Sequence, residues 1–213
     1  MEQYAESVWF DFDGTLFDTE PDIRNAYLAV FDHFDIEVDP GIFKIGPPMR
    51  ECILQVFPDC DEATLAAIMA RFVEVYDNSG FPGTILYPGV AGRLRELAGA
   101  GVKLFIATNK RLNPTLLILD KFELRSCFTA VYGVDSFLPE RPAKGEALRR
   151  GLLRHRLDAA AAVMVGDTAG DIAAGKFAGM KTLGVTWGYG GGEELRDADT
   201  LIDHPDQLRI GRC

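Results

Sequence analysis

The chain has 213 residues, 47% hydrophobic and 25% charged, which allows a substantial core in one large domain or one domain with an insert. Asp and Glu number 32 against 22 Lys and Arg, a formal charge of −10 that disfavours general binding to nucleic acid or an anionic membrane surface. No secretory leader is visible in MEQYAESVWF, no apolar run approaches membrane-span length, and Cys52, Cys60, Cys127 and Cys213 form no CxxC pair, so a cytoplasmic protein with reduced thiols is expected.

In chain order, the first expected strand is Val8–Phe12, and it runs into FDFDGTLFD (10–18). That stretch places Asp11, Asp13 and Asp18 where an apolar strand ends. Carboxylates there repel each other and cost free energy to desolvate, so they mark either a polar loop or a site that needs negative charge. From about Thr19 to Pro88 the pattern is helical and no strand is expected. Ile23, Tyr27, Val30, Phe31 and Phe34 share one helical face. Met49, Cys52, Ile53, Val56 and Phe57 share a second, and Leu65, Ile68, Met69, Phe72 and Tyr76 a third. Thr19 with Asp22 reads as a capping box, and Gly80 as a helix stop. GFPGTILYPG (80–89) reads as the linker back.

Beyond it, strands are expected at Val102–Thr108, Phe128–Tyr132, Ala161–Val165, Lys181–Thr186 and Thr200–Ile202. Helices are expected at Pro88–Ala98, Asn113–Phe122 (Asn113 as N-cap, Pro114 first in the helix) and Lys144–Leu157. This alternation predicts an α/β fold: a Rossmann-like parallel sheet flanked by helices, with a small all-α cap inserted after the first strand. The expected division is 1–18 with 85–213 as the core and 19–84 as the cap. Ligands bind such sheets at the carboxyl ends of the strands, where the acids sit.

Three more polar clusters follow apolar runs. IATNK supplies Thr108, Asn109 and Lys110; RPAKGEAL supplies Arg141 and Lys144; VMVGDTAGD supplies Asp167 and Asp171. Each alone is a weak signal, but their order and spacing together are not. DFDGTLFD, Thr108, Lys144 and GDTAGD resemble, in sequence order, the four motifs of the haloacid dehalogenase superfamily in its phosphatase branch. IGPPMRE (45–51) and WGYGGGEEL (187–195) look like stretches of its phosphoglycolate phosphatase-like members.

The resemblance implies Asp11 as a nucleophile forming an aspartyl phosphate, and Asp13 as general acid and then base. It implies Thr108 as a donor to the phosphoryl group and Lys144 as the cation beside it. Many relatives carry the motif-three lysine just before a proline, where this chain has Arg141, so Lys144 fits a helix-start variant and Arg141 stays a rival. Asn109, Gly46 and Arg50 are implied as substrate-binding. Asp11, Asp13 (through its carbonyl), Asp167 and Asp171 are implied as the Mg²⁺ site. Two carboxylates about 4 Å apart repel by roughly 4 kcal/mol at an effective dielectric near 20, and oxygen-only donors suit a hard cation.

The implied reaction is Mg²⁺-dependent hydrolysis of a small phosphorylated metabolite by a monomer or homodimer, with no nucleic-acid or membrane partner. A phosphomutase, nucleotidase or pyrophosphatase shares the motifs, and a non-catalytic phosphate-sensing or receiver-like module is the rival of another class. A cap and an acid beside the nucleophile argue against a stable phosphorylated signal. Three features are discounted. GYGGG lacks the last glycine of GxGxxG because Glu193 stands there, so dinucleotide binding is not expected. Arg149, Arg150, Arg154 and Arg156 read as a solvated helix face. Asp18 reads as a helix cap or linker residue, and Lys110 as either a site residue or a solvated flank.

Overall fold

The computed structural model describes residues 3–38 and 48–211. Contacts divide the chain into two compact units, Met1–Asp18 with Leu86–Cys213, and Thr19–Ile85.

The larger unit is built on six parallel strands: β1 (Ser7–Phe10), β2 (Lys103–Ala107), β3 (Ala130–Tyr132), β4 (Ala162–Gly166), β5 (Lys181–Val185) and β6 (Thr200–Ile202). Their order is β3-β2-β1-β4-β5-β6, with β1 central, paired to β2 on one side and β4 on the other. Every residue of β1 and β4 is buried, which is why both read as unbroken apolar runs rather than as alternation. Trp9 of β1 stacks on Phe105 of β2 at 4.2 Å between ring centroids, and Tyr132 of β3 continues the layer. Each such fully buried side chain contributes about 1.5–3 kcal/mol of transfer free energy. Strand β6 matches its expected limits, and the other five begin or end one to two residues from theirs.

The smaller unit holds α1 (Glu20–His33), α2 (Met49–Val56) and α3 (Glu62–Asp77). Tyr27, Val30, Phe31, Cys52, Ile53, Leu65, Ile68, Phe72 and Tyr76 are buried, and the Tyr27 and Phe72 rings lie 4.3 Å apart. Asp61 caps α3 by accepting from the Ala63 and Thr64 N–H groups at 2.9 Å. Three local expectations fail here. Thr19 makes no side-chain cap, because Asp22 instead accepts from the Gly83 N–H and the Thr84 hydroxyl at 2.9 and 2.7 Å. That bond pair ties the first turn of the unit to its last residues. Helix α3 stops at Asp77, before Gly80. A two-residue strand, Ile85–Leu86, lies in the segment expected to be strand-free.

In the larger unit, α4 (Val90–Gly99), α5 (Leu112–Lys121), α6 (Lys144–His155) and α7 (Ala169–Phe177) connect the strands. The cap of α5 falls at Arg111, two residues before the expected Asn113, and Asp135 accepts the Leu112 N–H at 2.8 Å. None of the described helices is long and apolar enough to cross a membrane.

Candidate active site

The carboxyl ends of β1, β2 and β4 and the first turns of α6 and α7 converge. Asp11 follows β1, and its N–H donates to the Val165 carbonyl of β4 at 2.9 Å. Three residues on, Gly14 adopts φ +82°, a conformation that suits glycine, and its N–H closes the turn on the Phe17 carbonyl at 2.8 Å. Thr108 follows β2, buried, with its N–H on the Tyr132 carbonyl. Asp167 follows β4, fully buried. Asp171 lies in the first turn of α7 and forms a reciprocal cap with Thr168.

Lys144 opens α6 and donates to Asp11 Oδ1 at 2.8 Å and to Asp171 Oδ1 at 2.6 Å. Arg141 is exposed in the preceding loop. Of the two rival cations, Lys144 is thus the one that lies beside the acids. Carboxylate oxygens of Asp11, Asp167 and Asp171 lie within 4.8 Å of one another. Burial, then the Asp171 charge, pushes the Asp11 carboxyl well above its usual range against the pull of Lys144. Burial and Asp171 push Asp167 up to about 6. Burial pulls Lys144 down, but Asp11 and Asp171 outweigh it and hold the ammonium charged. One ammonium thus leaves negative charge uncompensated in a buried, oxygen-only donor set, which fits a hard divalent cation such as Mg²⁺.

Sequence reasoning missed the support around Asp167. The Thr15 hydroxyl donates to its Oδ1 at 2.9 Å and the Tyr189 N–H to its Oδ2 at 2.8 Å. Trp187 Nε1 donates to the Thr15 carbonyl at 3.1 Å. Gly190 comes so close that a Cβ there would lie 1.9 Å from the Asp167 carbonyl oxygen. The glycine-rich stretch discounted as a nucleotide loop is thus a brace for an acid; its glycine spacing was the available clue. Asp18, the last residue before the helical unit, accepts from the Tyr189 hydroxyl at 3.0 Å. Lys110 is no solvated flank: it is buried, and its Nζ donates to Asp13 Oδ1 at 2.9 Å.

Three expected residues remain, Asn109, Arg50 and Gly46. Asn109 is exposed but shares the lining of a small cavity with Thr108 and Lys144. Arg50, at the start of α2, makes a two-pronged pair with Glu62 of its own unit at 2.9 and 2.5 Å. Gly46 lies outside the described residues.

Residues 8–185 match the family described as haloacid dehalogenase-like hydrolase. This chain belongs to that family, among its phosphatases. It is 31% identical over 215 residues to the phosphoglycolate phosphatase of Psychrobacter arcticus, covering 92% of this chain and 93% of that one. It is 33% identical over 213 residues to the pyrophosphatase PpaX of Bacillus velezensis, covering 95% and 94%. A crystal structure of a predicted phosphatase from Clostridium acetobutylicum superposes with a TM-score of 0.85 at 27% identity, covering 97% of each chain. The doubly wound parallel fold of this hydrolase family is the one described above.

Proposed function

We propose that this hydrolase cleaves a small phosphomonoester by way of an aspartyl phosphate on Asp11, with Mg²⁺ as cofactor and 2-phosphoglycolate as the leading substrate. The observation that carries the reading is the buried Asp11 at the end of the central strand, paired with Lys144 and grouped with Asp167 and Asp171. The named relative supports the choice of substrate.

In the first step an Asp11 oxygen bonds to phosphorus as the ester P–O bond breaks toward the leaving oxygen. Asp13 gives its proton to that oxygen and becomes a carboxylate. In the second step Asp13 takes a proton from water, whose oxygen bonds to phosphorus and restores the Asp11 carboxylate. Lys144 offsets charge on Asp11 and the phosphoryl group, and the Thr108 hydroxyl is the proposed donor to a phosphoryl oxygen. Asp11, Asp167 and the Asp13 carbonyl would hold Mg²⁺, while Asp171, engaged by Lys144 and Thr168, supports from behind. Bound there, Mg²⁺ supplies the positive charge that lets crowded carboxylates face an anionic phosphate. Asn109 is proposed beside the phosphoryl group, and Arg50, exchanging Glu62 for a substrate carboxylate, as a specificity residue together with Gly46. The proposed setting is a cytoplasmic monomer or homodimer.

Phosphate release from 2-phosphoglycolate tests this directly. Wild type should be active with Mg²⁺ and silent in excess chelator, and Asp11→Asn should retain under roughly 1% of turnover while melting normally. Full activity in chelator or in Asp11→Asn would overturn the mechanism. Inorganic pyrophosphate belongs in the same assay, because the PpaX relative favours it as a second substrate.

A further inference from the structure

We propose that Lys110 is a positioning residue for this chemistry, holding Asp13 in the rotamer from which it exchanges a proton with the leaving group and with water. The inference rests on the phosphatase reading above. Lys110 Nζ meets Asp13 Oδ1 at 2.9 Å, with the two side chains only 5% and 16% exposed. A lysine at a loop position ordinarily extends its ammonium into water, and turning it inward is costly unless an anion receives it. Here the backbone fixes the direction. The Lys110 N–H donates to the Thr108 hydroxyl oxygen at 3.1 Å, and its carbonyl accepts from the Val134 N–H at 3.0 Å. Nζ then lies 5.9 Å from the centre of the Phe12 ring, the residue between the two motif aspartates.

The consequence for the reaction is geometric. Lys110 occupies one oxygen of Asp13 and so stops the carboxyl from swinging about its χ angles. The second oxygen carries the proton out to the leaving group in the first step and receives the proton from water in the second. The lysine itself gains and loses nothing. A general acid displaced by about an ångström loses up to roughly a hundredfold in rate. Thr108 and Lys110 thus serve different partners from one strand end, one beside the phosphoryl site and the other beside the acid.

Leaving-group chemistry separates this role from a merely structural one. The phenolate of 2,4-dinitrophenyl phosphate departs without a proton, whereas an alkyl ester needs one. The probes are that aryl ester and the phosphorylated alkyl metabolite on which wild type is fastest. Lys110→Met should lower kcat/KM for the alkyl ester by roughly 10–100-fold and leave that for the aryl ester within about threefold. kcat should fall on both, because the water step still needs Asp13. If Lys110→Met melts below assay temperature, Lys110→Gln, which keeps a polar group in the buried position, carries the same comparison. Equal losses in kcat/KM on both esters, or no loss on either, overturn the role. A wild type that hydrolyses neither ester overturns the phosphatase reading itself.

Discussion

Lys144 stands at the first position of α6, where its side chain folds back over the helix start to reach Asp11 and Asp171. Removing it leaves two buried carboxylates facing each other without a counter-charge. Lys144→Ala should therefore lower kcat/KM by roughly 10²–10³-fold, the scale of one lost electrostatic stabiliser. Arg141→Ala, in an exposed loop residue, should leave turnover close to wild type; steady-state kinetics of the pair decide between them. At this scale, residues that announce themselves by type and spacing were readable: Asp11, Asp13, Lys144, Asp167. Residues whose meaning depends on a partner far along the chain were not. Lys110 and Asp13 are 97 positions apart, and Thr15 and Asp167 are 152 apart. No local pattern encodes either meeting.

At the scale of elements, the buried parallel strands were visible because both faces of each must be apolar, while their ends blurred because the polar residues that finish a strand also start a loop. The two-residue strand Ile85–Leu86 is too short to show any period. The misplaced start of α5 has the same cause as the missed residues, since Asp135 supplies its cap bond from beyond β3. One connection lends itself to a pH experiment. Asp199, just before β6, accepts from the Thr182 N–H and hydroxyl of β5 at 2.8 and 2.9 Å. Those bonds, with Lys176 and Lys181 nearby, hold its carboxyl below the usual range. A depressed carboxylate contributes stability above its unfolded pKa and loses it as pH falls through the folded value. Asp199→Asn should thus cost about 0.5–1 kcal/mol at neutral pH, a modest figure because the residue is exposed. Urea denaturation should show that gap closing as the pH drops below the ordinary carboxylate range. A gap that persists at acid pH would mean the charge is irrelevant.

At the scale of the whole molecule, the helical unit carries its own aromatic core and its own closure through Asp22. Asp22→Ala removes a buried charged acceptor from two donors and should cost that unit about 2–3 kcal/mol. Calorimetry should show a separate, earlier transition for the variant, with the sheet melting near its original temperature. A single transition shifted as a block would mean that the two units melt together.

The Asp22 closure also bears on the order in which the chain assembles. Strand β1 must find β2 across the whole inserted segment, and long loops are entropically slow to close. Helices form early from local contacts, and once Asp22 is bonded to Gly83 and Thr84 the inserted stretch is short-circuited at its base. The remaining loop is roughly a third as long, which lowers the closure cost by about 1 kcal/mol. On that argument the helical unit should act as a splint for the nucleation of the sheet, and stopped-flow refolding of the Asp22 variant should be slower than wild type even where the sheet's own contacts are untouched.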